Sequence, residues 1–383
     1  MRLLAIKMLI GNRASCIGVI FGVFLATLLI SQQSAIFLGL VSKSYRMIID
    51  MPEPNLWIMN PATESDDKYK GMPVGNISTI RSIPGIQWAG PIDRIDTPII
   101  TPQGVFQLSL LYGIDDATFI GAPMEMIEGN VRDLRRENGV IVDYYSAKTF
   151  LSRKNENGEV ISLKIGDQFE INDRRAVVVG ICKITQGFYP QPIIYTAYSE
   201  FLKFNPQSIN RLPFIAAKTL DESDIEEIIK RIEYHVGVKA LTKEQFKDKI
   251  VESFLKTGIL INFMLSVGLG IIIGFSIAGQ TFYIMTLGNL KYYALIKSLG
   301  ATKKTLFQMI ALQVFLMGAL GFIIGITTTL LWGYAIKETT LAFLFNFELL
   351  TFTGFLVFII CVFTTLLSMR KIQKIDPIIL MGA

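Results

Sequence analysis

The sequence is poor in the groups that do chemistry. Its 383 residues hold one histidine, His235, and three cysteines, Cys16, Cys182 and Cys361. Scattered so thinly, they cannot supply the ligand cluster of a zinc site. Two of the thiols fall in apolar runs, which leaves Cys182 without an internal disulfide partner. Charge is scarce too: 18% of residues are Asp, Glu, Lys or Arg, against about 25% in an ordinary soluble domain. The scarcity is local. Ala14 to Ser42, Thr257 to Leu290, Thr305 to Ile336 and Leu349 to Met369 contain no Asp, Glu, Lys, Arg or His. Proton- and sodium-driven antiporters keep such groups at mid-membrane depth, so these runs argue against a proton-driven pump and against a channel lined by charge. No G-x-x-x-x-G-K-[ST] run occurs, hence no P-loop for nucleotide phosphates. Gly300-Ala301-Thr302-Lys303-Lys304 lacks that spacing, and Gly268 to Gly274 lies inside an apolar run.

What is present is apolar mass: 51% of residues are hydrophobic and the mean hydropathy is +0.45. Each charge-free run has at least 21 residues, and about 20 residues at ~1.5 Å rise cross a ~30 Å hydrocarbon core. Four transmembrane helices are expected, at 14–42, 257–287, 305–336 and 349–369. The first two runs exceed what a span needs, so their outer ends, near Gln32-Gln33 and Thr257, should continue as helix into an aqueous domain. Arg2, Lys7 and Arg13 precede the first run as in a signal peptide. Apolar sequence nevertheless continues past Ile30 and no A-x-A site follows, which favours a retained helix.

Basic residues set the orientation. Segments 1–13, 291–304 and 370–383 hold ten Lys and Arg against Asp376 alone, a balance of +9. The 43–256 insert has 26 basic and 29 acidic residues, and the 337–348 loop has Lys337, Glu338 and Glu348. By the positive-inside rule both termini and the 291–304 loop are cytoplasmic and the insert lies outside, since long domains translocate regardless of charge. The net charge of +5 is then membrane asymmetry facing anionic headgroups, and no nucleic-acid partner is implied. A long outer domain without disulfides fits a bacterial inner membrane.

The insert has an α+β pattern. Strands are expected at Asn55–Met59, Val105–Tyr112, Gly139–Val142 and Phe214–Ala217, and a hairpin joins Gln168–Ile171 to Ala176–Ile181 around Asn172-Asp173. Helices are expected at Ser78–Ile83, Ser146–Leu151, Asp221–His235 and Leu241–Lys256, the last running into the second span. Asn155–Gly158 is a turn, and Asp115-Asp116 caps a helix. Two lobes are expected, one combining 45–100 with 210–252 and an inserted one at about 104–205. No catalytic constellation and no cofactor site emerge: His235 sits near a helix end as a surface residue, and acid pairs such as Asp66-Asp67 are turn residues. In the second span Ser266, Gly270, Gly274 and Ala278 recur every four residues. That spacing marks a helix-packing seam, against its own chain or a second copy. Gly18-xxx-Gly22 and Gly321-xxx-Gly325 repeat the theme.

The loop after the second span carries a resemblance. It reads Gly279-Gln280-Thr281-Phe282-Tyr283, then Asn289-Leu290-Lys291-Tyr292-Tyr293-Ala294-Leu295-Ile296-Lys297-Ser298-Leu299-Gly300-Ala301-Thr302. This resembles the FtsX/MacB/LolC superfamily of ABC transporter permeases, where an aliphatic-Lys/Arg-x-aliphatic-Gly-Ala stretch follows the second span. The Gln-Thr-Phe-Tyr entry and the Tyr-Ala-x-x-Lys core are closest to the DevC-like branch. The end, Arg370 to Leu380 with Asp376-Pro377, resembles the family's closing basic helix. Gly113-Ile114-Asp115-Asp116 and Val140 to Phe150 resemble segments of the MacB-like outer domain. Where many members carry Glu, this chain has Tyr292, which removes one acidic contact from the family pattern.

The resemblance implies a fold of one plus three transmembrane helices around an α+β MacB-like periplasmic domain. It implies two copies of the chain working with two copies of a separate ATPase, so that ATP hydrolysis resides outside this chain. The function implied is export with a periplasmic adaptor and an outer-membrane channel. Lipoprotein release, regulation of wall hydrolases, or a membrane-anchored sensor without an ATPase are the alternatives. The stroke would enter at the 288–304 coupling loop and pass along the helices to the outer domain. Leu290, Lys291, Tyr293, Ala294, Leu295, Lys297, Leu299, Gly300 and Ala301 are the expected ATPase-coupling residues. Leu290, Tyr293, Ala294 and Ile296 to Leu299 can form a short amphipathic helix ended by Gly300, its apolar face lying helix-in-groove on the partner.

Overall fold

The structure, a computed structural model, describes residues 2–154, 159–187, 191–221, 224–337, 339 and 341–373. The turn expected at Asn155–Gly158, Glu222 at the expected start of a helix, and the tail from Lys374 with its Asp-Pro pair lie outside the described residues. The chain opens with α1 (Arg2–Gly11) and α2 (Arg13–Ser44). It continues through α3 (Arg46–Asp50), β1 (Leu56–Met59), β2 (Met72–Pro73), α4 (Asn76–Arg81), β3 (Ile86–Ile100), β4 (Phe106–Ile114) and β5 (Glu125–Gly129). Next come β6 (Gly139–Asp143), α5 (Tyr144–Lys148), β7 (Arg153–Lys154), β8 (Val160–Ile161), β9 (Gln168–Ile171), β10 (Arg174–Lys183), β11 (Ile193–Ala197) and α6 (Tyr198–Phe204). The insert closes with β12 (Arg211–Leu212), β13 (Phe214–Thr219), α7 (Ile225–Val236), β14 (Lys239–Thr242) and α8 (Lys243–Leu255). Last are α9 (Ile259–Gly288), α10 (Leu290–Ser298), α11 (Lys303–Ala335) and α12 (Phe347–Gln373). Residues 41–256 form one compact unit, and 1–40 with 257–383 form the other.

The insert is an α+β unit on a mixed ten-stranded sheet of order β14-β1-β13-β3-β4-β11-β6-β10-β5, with β9 pairing β10 and β3. β11 runs parallel to β4 and β10 parallel to β6. β1 shows why the sheet lies at the centre. All four residues are buried, and alternate side chains point to opposite faces of a strand. Trp57 and Met59 accordingly join a core with Tyr112, Tyr195, Phe214 and Phe246, whereas Leu56 and Ile58 join one with Ile80, Ile215 and Ile228. The two expected lobes share this one sheet and meet where β3 pairs with β4 along nine positions from Ile92↔Ile114 to Ile100↔Phe106. The expected hairpin is present: Asn172 and Asp173 both take positive φ, 47° and 60°, as a two-residue turn matched to strand twist requires.

Three local expectations are corrected. Leu241 belongs to strand β14, paired with Trp57, and the helix starts at Lys243 because Thr242 and Gln245 form a reciprocal capping box that fixes a helix start. That helix does not run into the next: Gly258, at φ +82°, intervenes before α9. Asp115 caps a turn and not a helix, its Oδ2 accepting from the backbone N–H of Ala117 and Thr118. Asp116 does cap a helix, accepting from the N–H of Ser199 in the first turn of α6, and Asp66, in the bend at 65–68 as expected of a turn residue, is also the ion-pair partner of buried Arg94 at 2.6 Å.

In the other unit, α2, α9, α11 and α12 are long and apolar enough to cross a membrane. α2 continues unbroken past Gln32-Gln33 to Ser44. Glycines bring these helices together. A Cβ on Gly22 would lie 2.7 Å from the backbone N of Ala278, and one on Gly270 would lie 3.2 Å from Leu29 Cβ. A Cβ on Gly274 would overlap that of Ala26. Gly321 and Gly325 of α11 face Val23 and Thr27 of α2 in the same way, and Ser31 and Thr329 share a buried hydrogen bond of 2.6 Å. Without a hydrophobic driving force between helices in lipid, such close backbone packing is what holds a bundle together.

Candidate functional site

α10 is framed by local chemistry at both ends. The chain leaves α9 through Asn289, whose N–H reaches Met285 O at 3.2 Å and whose carbonyl accepts from Tyr292 and Tyr293. At the other end Gly300 adopts φ +92°. Its N–H donates to Lys297 O at 3.1 Å, and the N–H of Ala301 donates to Ile296 O at 3.2 Å. That pair of bonds is a Schellman motif, which needs a residue free to take positive φ after the C-cap. Thr302 then caps α11 by accepting from the N–H of Thr305. The expected helix and its glycine stop are thus both in place.

Its apolar residues divide between two faces. Tyr293, Ala294 and Ile296 are buried; Tyr293 and Ile296 pack with Leu306, Met309 and Ile310 of α11, and Leu290 is partly buried with them. Tyr292, Leu295 and Leu299 are 59%, 47% and 79% exposed. They stand at i, i+3 and i+7, one stripe of the helix, beside exposed Lys291 and Ser298. Lys297 is half-buried and Gly300 exposed. Of the residues expected to couple, therefore, Leu295, Leu299 and Lys291 share the outward face, whereas Tyr293 and Ala294 serve the bundle. Tyr292, absent from that set, belongs to the outward stripe; helical spacing from Leu295 and Leu299 was the signal for it.

Of the four residues in the small-residue stripe, Gly270, Gly274 and Ala278 are buried in the bundle, against α2 of the same chain. Ser266 is half-buried and bonds back to Asn262 O at 3.1 Å.

The extramembrane unit has ionisable groups with structural work. Asp143 Oδ1 accepts from Ser146 N at 3.0 Å and Oδ2 from Ile193 N at 3.2 Å, and Asp50 accepts from Thr185 N at 3.2 Å. Burial pushes the Asp50 carboxyl up to about 6, against the pull of its Thr185 bonds. Burial pushes Asp93 up to about 7, against hydrogen bonds from Ser208 and the Arg94 N–H. Cys182 is buried and its thiol is pushed far up by burial, so it is no reactive nucleophile. His235 is exposed in the last turn of α7.

The sequence matches two family models. Residues 14–234 match the MacB-like periplasmic core domain, and residues 264–377 match the FtsX-like permease C-terminal family. Similar solved structures include the periplasmic region of MacB from Actinobacillus actinomycetemcomitans, at 16% identity and a TM-score of 0.39, covering 51% of this chain and 91% of that one. Another is the extracellular domain of the noncanonic ABC-type transporter YknZ from Gram-positive bacteria, at 12% identity and a TM-score of 0.36, covering 49% and 98%. No curated protein matches the chain. With one model spanning more than half of the sequence and the second covering the apolar C-terminal part, the chain belongs to the FtsX/MacB-type permeases, the membrane subunits of ABC transporters whose ATPase is a separate chain.

Proposed function

We propose that this permease receives the stroke of its ATPase on α10 and passes it through the bundle to the periplasmic domain, driving export with a periplasmic adaptor and an outer-membrane channel. The observation that carries this reading is the outward stripe Tyr292–Leu295–Leu299 on a helix fixed at both ends. An apolar stripe on a short helix is the shape that seats in a groove of a partner. Charge supports it: Lys303 and Lys304 stand exposed in the first turn of α11, where a helix dipole disfavours cations, so an acidic or anionic neighbour would stabilise them. The excess of basic residues in segments 1–13, 291–304 and 370–383 supports a cytoplasmic side for both termini and α10 by the positive-inside rule, in a bacterial inner membrane. Two copies would meet two ATPase subunits. The spans carry no charged lining, which suits transmission of motion better than passage of a polar cargo.

Leu295→Asp places a carboxylate in the centre of the stripe without touching the bundle. It should insert normally yet lose co-purification with the ATPase and its stimulated ATP hydrolysis; an unchanged complex with unchanged hydrolysis would remove α10 from the coupling role. Capture of a coiled-coil adaptor on the same complex would favour export over lipoprotein release.

A further inference from the structure

Behind the outward stripe lies a buried polar chain. The Tyr293 hydroxyl donates to Gln313 Oε1 at 2.8 Å, and Gln313 Nε2 donates to the carbonyl of Ala5 at 2.9 Å. Tyr293 and Ala5 are buried, and Gln313 has no exposed surface. Gln313 lies ten residues into α11, about 15 Å along that helix at 1.5 Å per residue. An amide at that depth is costly unless both its ends are satisfied, and here each end serves a different helix. α1, α10 and α11 are thereby tied at one point, inside a shell of Leu9, Ile296, Leu306, Met309 and Ile310.

The arrangement has a mechanical consequence. α10 is joined to its neighbours in sequence by two bends, at Asn289 and at Gly300. A force on Leu295 and Leu299 would tilt an untethered helix about those bends and stop there. The Tyr293 hydroxyl lies on the opposite side of the helix from the stripe and holds it to α11, while Gln313 holds α11 to α1. We infer that Tyr293 and Gln313 are positioning residues that make α1, α10 and the first half of α11 one rigid body, so that displacement of α10 moves the bundle. The inference rests on α10 being the point where force enters, but the rigid body itself is a property of this chain alone.

The test separates rigidity from stability. Tyr293→Phe leaves Gln313 Oε1 buried without its donor, which destabilises. Tyr293→Phe with Gln313→Met removes both polar groups at similar volume, so the double variant should melt within a few degrees of wild type. Spin labels at Lys7→Cys on α1 and Ser298→Cys on α10, both exposed positions, report the distance between the two helices in a background lacking the native cysteines. The labelled chain alone in nanodiscs should give one narrow distance distribution, and co-purification with the ATPase is measured on the unlabelled protein. The double variant should still co-purify with the ATPase but lose the narrow distribution. A narrow distribution in the double variant, or a broad one in the wild type, overturns the inference. Failure of the wild type to bind the ATPase would instead overturn the docking reading, and the distances measured on the permease alone would still decide the rigid body.

Discussion

Replacing Gly22 by valine measures how much of the bundle depends on the approach of α2 to α9. A Cβ at Gly22 would stand 2.7 Å from the backbone N of Ala278 and 2.9 Å from Ile277 Cγ2, whereas ordinary contact begins at 3.4 Å. The helices must therefore part by about 0.7 Å at this point, because a backbone nitrogen cannot rotate aside. Overpacking of this kind costs ~1–3 kcal/mol, and valine, with two further carbons, belongs at the upper end. Its better helix propensity returns only a few tenths of a kcal/mol. A net loss of about 2–3 kcal/mol follows, roughly thirty- to 150-fold in the unfolding equilibrium. Gly268, on the same helix as Ala278, has nothing within 4 Å of its would-be Cβ, so Gly268→Val is the matched control and should change stability by a few tenths of a kcal/mol at most. SDS-driven unfolding in mixed micelles, followed by tryptophan emission, gives both values. Equal resistance of the two variants to SDS, or a Gly22→Val chain more resistant than wild type, would refute the close-packing argument.

Two further outcomes follow from charge. Asp93 is protonated up to about pH 7 in the folded chain but only to about 3.9 when unfolded, so the native state binds the extra proton between those limits. Stability should then fall as pH rises through that window, by up to tenfold in the folding equilibrium per pH unit; Asp93→Asn should flatten the slope and be the more stable chain above pH 7, and an unchanged slope in denaturant titrations would count against it. For orientation, Tyr234→Cys, exposed on α7, should react with an impermeant maleimide in intact spheroplasts of a strain carrying no other cysteine in the chain. Leu299→Cys should react only after lysis, and the reverse pattern would invert the topology.

The membrane helices were legible because a charge-free run of span length has few other meanings, and the small-residue stripe because its period matches a helix face. What lay hidden needed a third dimension. β3 is hidden in the sequence because Pro91 and Pro98 interrupt it, and proline argues against a central strand; the structure carries the strand through both, opposite Ile215 and Leu108. Leu241 stands in a strand and not in the expected helix because the capping box opened by Thr242, the next residue, sets where the helix begins. Helix α10 and its glycine stop were readable, but which of its apolar residues face out was not. Tyr293 and Leu295 are equally apolar in a sequence, and the choice between them is made by Gln313, an amide twenty residues away. A lone buried amide in a span is itself a signal, since polar groups at that depth are rarely idle.

On this reading α10 is the surface that the ATPase touches. A photoreactive residue in place of Leu299, in cells making the cognate ATPase, tests this directly, with Tyr334 at the other end of α11 as the comparison. An adduct with the ATP-binding chain is expected from position 299 and none from position 334. An adduct from 334 and none from 299 would contradict it.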